Sequence, residues 1–250
     1  MTSLLLMSAA LAAAPAVEDA EADPVPWLWL LGLCSSAFVL LHLVGTMEWV
    51  RDAMIRRLGP KGQQGLLSAP MALALVGMIW AWSEAPYLEV WAPAPWQRWV
   101  PLVVMPVAFV MLVAGYTTRS GTQTGQEDAM AAGPVGIQTI TRHPANWGVA
   151  LWAGAHLFPN GDLASVLFFG GLLALAILGS LHIDHRRSRS HPEQWAGFAR
   201  QTSFVPLAAV IRGRCRLDLP GIGWRSLVGL AAFGLALWGH AWMMGASPLP

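Results

Sequence analysis

The sequence predicts an all-α polytopic membrane protein with about six transmembrane helices, the fourth of them short. Three observations carry this. The chain is 55% apolar and only 12% charged, where ordinary soluble domains carry about 25% charged residues. It contains six apolar windows long enough, or nearly long enough, to cross a bilayer as one helix. And its basic residues fall almost wholly on alternate connections between those windows, as the positive-inside rule requires. The net charge of +1 selects no acidic partner.

In chain order, residues 1–26 form a leading segment and residues 27–250 a membrane domain. Residues 2–16 are apolar, Ala-rich and signal-peptide-like in length, but no Lys or Arg precedes them. Residues 17–26, with Glu18, Asp19, Glu21, Asp23 and two prolines, read as an acidic linker. The expected spans are Trp27 to Thr46, Leu66 to Trp82, Trp99 to Tyr116, Trp147 to Pro159, Leu163 to Ile183 and Ser226 to Met244. The fourth covers only about 20 Å at 1.5 Å per residue, so it must start earlier, tilt or sit beside a thinned bilayer. Asn160-Gly161-Asp162 makes a tight turn that folds spans four and five into an antiparallel hairpin.

Of the 15 Lys and Arg residues, all but Arg98 lie in connections 47–65, 117–146 and 184–225. Those connections are therefore expected in the cytoplasm, with the mature amino end and the carboxyl end outside. In 47–65, Glu48 and Asp52 read as a solvated helix face, with Asp52 and Arg56 an i,i+4 pair. The stretch 117–133 is polar and Gly-rich. In 184–225, His191 to Phe198 is expected to form a surface helix. Phe204 to Ile211, apolar but too short to span, is expected to dip into the interface beside Arg212, Arg214 and Arg216. Cys34 and Cys215 fall on opposite sides and give neither a disulfide nor a metal spacing. No nucleophile-base spacing, phosphate loop or basic-aromatic surface for nucleic acid is present.

The candidate site centres on Ile140 to Gly148. Pro144 pushes His143 out of helical conformation and starts a helix. Arg142 and His143 then sit at a helix start, a position suited to an anion. Trp147 marks the edge of the apolar layer. Ionisable groups in or at the ends of spans are site candidates. His42 and His182 lie near the cytoplasmic ends of spans one and five, and His156 and His240 near the outer ends of spans four and six. His42, His143 and His182 come from separate helices at one depth. Imidazoles so placed can hold haem iron or another transition metal; the alternative is that each hydrogen-bonds a neighbouring helix.

Several motifs in order, Gly136-Ile-Gln-Thr-Ile-Thr-Arg-His-Pro144, Leu151-Trp-Ala-Gly-Ala-His-Leu157, Asn160-Gly-Asp-Leu-Ala-Ser165 and Thr202 to Ile211 followed by Gly213-Arg214, resemble the NnrU family of bacterial inner-membrane proteins. The resemblance runs from about Trp27 to Leu217. It implies a link to denitrification and nitric oxide metabolism. The same motifs are similar to the related 15-cis-zeta-carotene isomerases, which implies haem b and a haem-dependent cis-trans isomerase-like activity on an apolar, lipid-borne substrate. By position, His42 resembles the first-span iron ligand of those enzymes, and His143 and His156 match two further histidines. Ala176 and Ile177 stand where that family has its fifth-span histidine pair, which leaves His182, about one and a half turns on, or His156 as the second ligand. Arg142 and His143 would then hold a propionate or other anion. A third resemblance, Gly133-Pro134 ahead of Arg142-His143-Pro144, is to S-adenosylmethionine-dependent membrane methyltransferases, but Asp184-His185 replaces their Glu-Glu pair. A non-enzymatic role, as assembly factor for another membrane protein complex, is the remaining alternative, motivated by the arginine-bearing connection 184–225.

Overall fold

A computed structural model describes residues 25–123 and 125–250. The signal-like segment and most of the acidic linker lie outside them. Among the described residues the α-helices are α1 (Val25–Gly45), α2 (Glu48–Glu84), α3 (Trp99–Thr117), α4 (Pro144–Asn160), α5 (Leu163–Ser190), α6 (Pro192–Gln201), α7 (Ala208–Ile211) and α8 (Leu219–Met244). One isolated bridge joins Glu89 to Asp162. Five helices, α1, α2, α3 with its short lead-in turn, α5 and α8, are long and apolar enough to cross a membrane. The short fourth helix, α4, has 17 residues.

These five helices and α4 stand in a row, α2, α1, α5, α4, α3, α8, each packed mainly on its neighbours in that order. The α4–α5 hairpin forms as expected. Gly161 takes φ of 70° at the turn, and the Asp162 carboxylate accepts from the Ser165 backbone N–H at 2.9 Å, which caps α5. The inward side of α1 is the stripe Leu28, Leu31, Ser35 and Phe38, at the alternating three- and four-residue steps of a helix face. It packs on Met78 and Ala81 of α2 and on Phe168, Phe169 and Leu172 of α5. The opposite surfaces stay apolar: Trp238 is 86% and Trp242 89% exposed. Apolar area of that extent belongs against lipid.

Residues 47–65, the connection in which Glu48 and Asp52 read as a solvated helix face, are indeed helical from Glu48 on. They continue as helix into α2, with a kink at Gly59 (φ 71°, ψ 171°). Gly59 supplies the positive φ and Pro60 restarts the helix at a position that needs no N–H. Asp52 is exposed as expected, but its ion pair is to Arg51, at 3.7 Å, rather than to Arg56. His191 to Phe198 does lie in a surface helix, α6. The run Phe204 to Ile211 does not span. It folds through Leu207 in the left-handed region (φ 63°) into the single turn α7. Cys34 and Cys215 are both free. The helix ends separate the charges: one end of the row gathers Arg119, Arg142 and the arginines between α5 and α8, while Arg98 stands at the other, beside the α4–α5 turn.

Candidate functional site

At the arginine-rich end, His143 has φ −121° and ψ 55°, outside the helical region, and Pro144 opens α4. This breaks the chain so that Arg142 and His143 project side by side. Their position is fixed by the segment after α6. The Arg142 backbone N–H donates to the Ser203 carbonyl at 3.1 Å, and Leu207 N–H donates to the Ile140 carbonyl at 2.8 Å. The Thr141 hydroxyl donates to Phe204 O at 2.7 Å, and Trp147 Nε1 donates to the same carbonyl at 2.8 Å. The run that the sequence places at the membrane interface is therefore the floor of the site. On the other side, Thr122 Oγ1 donates to Arg142 O at 3.0 Å.

The anion that Arg142 and His143 meet is internal. Asp184, near the end of α5, accepts from His143 Nε2 at 2.6 Å and from Arg142 Nε at 3.0 Å on Oδ1. Its Oδ2 accepts from Arg142 Nε at 2.9 Å and from Nη2. The Arg142 guanidinium lies 5.5 Å from the centre of the Trp195 ring of α6, and the Phe204 ring meets His143 edge-on at 6.0 Å. The His143 side chain is 2% exposed, and those of Arg142 and Asp184 are 15% exposed. A buried carboxylate shared by a two-nitrogen arginine seat and an imidazole is an ion cluster whose charges compensate one another. Nearby, Arg187 pairs with Glu127 at 2.7 Å and donates to the Gln123 carbonyl at 2.8 Å. Burial raises the Glu127 carboxyl, but backbone N–H groups and Arg187 outweigh it, so that its pKa lies below the ordinary value.

Asp184, Trp195 and Phe204 are the site residues that sequence reading missed. Only Asp184 left a signal, a carboxylate closing an apolar span.

The other candidate histidines stand apart from this cluster. His42 Nδ1 bonds the Phe38 carbonyl at 2.8 Å. A carbonyl only accepts, so Nδ1 carries a proton and Nε2 is the nitrogen left to face a metal, the orientation of a metal-ligating imidazole. His156 repeats it on α4, with Nδ1 on the Trp152 carbonyl at 2.8 Å and its ring stacked on Phe169 at 5.3 Å. His182 Nε2 is buried and has no hydrogen-bond partner among the described residues. Helix register relates His42 to α5. Ser35 Oγ donates to Leu167 O at 2.9 Å and lies against Gly171. Since α1 and α5 run parallel, His42 stands level with Ala176 and Ile177, and His182 lies about 8 Å further along the helix axis. Among the described residues no three His, Cys, Asp or Glu side chains gather where they could hold a metal ion. The donor chemistry of His42 thus fits one axial imidazole for haem, while Arg142 and His143 are already engaged by Asp184.

The family model of the NnrU proteins matches residues 30–248, and the chain belongs to that family. Two 15-cis-zeta-carotene isomerases are similar to it. The chloroplastic enzyme of Arabidopsis thaliana is 30% identical over 118 residues, 45% of this chain and 32% of the relative. That of Zea mays is 34% identical over 82 residues, 33% of this chain and 22% of the relative. The matched stretches thus cover a third or less of these relatives' length. No solved structure matches the chain.

Proposed function

From its place in the NnrU family, we propose that this is a haem-binding protein of the bacterial inner membrane, with His42 as an axial ligand, serving nitrogen-oxide metabolism. The observation that supports it is the Nδ1–H bond from His42 to Phe38 O at 2.8 Å, which leaves Nε2 to face a metal from a half-buried ring one turn beyond the buried stripe of α1. A ferrous haem would supply an iron able to take a diatomic ligand or exchange one electron. The protein's own part is to orient His42 through Phe38, to keep water out with the apolar core, and to hold the inner mouth in shape through Asp184. The basic end faces the cytoplasm in this reading and both termini face out.

The test is an absorption spectrum of the detergent-purified protein, oxidised and reduced, with pyridine extraction. Haem b at near-stoichiometric amount is expected, and His42→Ala should lose it. Unchanged haem content in His42→Ala would overturn the assignment. Removal of nitrogen-oxide growth phenotypes by deletion, restored by the wild type and not by His42→Ala, is the cellular counterpart.

A second reading, isomerisation of a double bond in a long polyene, is favoured by the similarity to the two isomerases. Expression in bacteria that accumulate the cis substrate should change the pigment; unchanged pigment sinks this reading.

A further inference from the structure

The end of the row opposite the Arg142–Asp184 cluster holds two cavities. An open one of about 600 Å³ lies beneath the α2–α3 connection and is lined by Tyr87, Pro95, Asp162 and Ser165. A deeper one of about 340 Å³ lies between α3, α4 and α8 and is lined by Met105, Phe109, Trp152, Phe169, Phe233 and His156. Trp82, Arg98, Pro159 and Asn160 line both, so the two meet at a neck and the outer is a vestibule to the inner. Both fall in the size range of small-molecule sites.

Charge distinguishes the neck. Among the described residues Arg98 is the one Lys or Arg at this end, where His156 and His240 are the imidazoles, and it lines both cavities. Among the described residues it forms no ion pair; its hydrogen bond is a long one, 3.4 Å from Nη1 to the Leu249 carbonyl. The carboxylate in the vestibule, Asp162, is spent on the α5 cap through Ser165 N–H. A guanidinium uncommitted at the mouth of a Phe-, Trp- and Met-lined cavity calls for a ligand with an anionic head and an apolar tail, because Arg pairs best with planar or multi-oxygen anions.

We propose that this compound cavity binds a single-chain anionic amphiphile, its carboxylate or phosphate on Arg98 and its chain in the inner chamber. The site lies apart from His42 and Arg142, on which the haem reading rests, and shares only His156 with the candidate histidines. The test uses the full chain in phosphatidylcholine nanodiscs and tail-brominated dodecanoate, dodecyl phosphate and dodecanol, read by quenching of tryptophan fluorescence. Trp82 and Trp152 line the cavities, so binding gives a saturable component above the linear one from bilayer partition.

Saturable quenching by one or both anions, about tenfold weaker in Arg98→Gln, is expected, with dodecanol giving only the linear part. Preference for dodecanoate identifies a free acid as the ligand class, and preference for dodecyl phosphate a phosphate-headed lipid. Identical curves for wild type and Arg98→Gln, or saturation by dodecanol at the same concentration, would overturn the proposal. Should Arg98→Gln not fold, Phe233→Trp fills the inner chamber instead. It must abolish the saturable part while helical circular dichroism is unchanged, and persistence of that part also overturns the proposal.

Discussion

Arg142 holds Asp184 through both Nε and Nη2, across 42 positions of sequence, while His143 takes the first carboxylate oxygen. The Arg-His-Pro tripeptide thereby ties the start of α4 to the inner end of α5. Removing the carboxylate should leave the guanidinium without its counter-charge and the imidazole without its hydrogen-bond acceptor, both largely buried. Asp184→Ala is expected to cost about 3–5 kcal/mol, measured by thermal or denaturant unfolding in detergent. Arg142→Lys keeps the charge but loses the paired donors and the Trp195 contact, so it should fall between wild type and Asp184→Ala. Equal stability of wild type and Asp184→Ala would show that the cluster does not hold the helices.

The Glu127–Arg187 pair sets a pH dependence. The folded-state pKa of Glu127 lies below its ordinary value of 4.5, so its stabilisation is fully present above about pH 4.5 and is lost as pH falls through the depressed value. Wild type should therefore lose stability relative to Glu127→Gln on acidification, and the two melting curves should converge at low pH. A constant gap from pH 7 to pH 3 would remove Glu127 from this role.

Close packing of α3 on α4 rests on Gly115. A Cβ built there would lie 2.5 Å from the Ala145 backbone N and 2.9 Å from its Cα, and backbone cannot step aside as a side chain can. Gly115→Ala should destabilise by about 1–3 kcal/mol through overpacking and shift the start of α4, which carries His143. Weakened resistance to denaturant in this variant, with Gly154→Ala unaffected because nothing lies within 4 Å of its Cβ, is the check.

Much of the fold was legible because lipid solvation writes it into apolar length. The ranges expected for spans two, three, five and six lie within α2, α3, α5 and α8, span one overruns the end of α1 by Thr46 alone, and the α4–α5 turn followed from Asn160-Gly161-Asp162. What failed was local: the i,i+4 spacing pairs Asp52 with Arg56, yet the structure pairs it with Arg51. The site was half legible. Pro144 placed Arg142 and His143 correctly, but their partner lies on another helix, and only α4–α5 packing brings Asp184 to them. Equal depth of His42 and His182 was inferred from span ends, whereas the Ser35 to Leu167 bond sets the true register. Phe204 looked like membrane-dipping sequence because apolar composition does not say whether a ring meets lipid or a neighbouring imidazole.

The order of helices in the row also constrains how the protein is assembled. In sequence α1 pairs with α2 and α3 with α4, but α5 stands between the two pairs and packs on α1 and α4 together. Each hairpin can form as it enters the bilayer, yet the two share little surface until α5 arrives. A chain cut before Leu163 should therefore leave two hairpins that diffuse apart, whereas one cut after Ser190 should hold together. Joining the halves is the non-local step, and the slow one on chain-topology grounds.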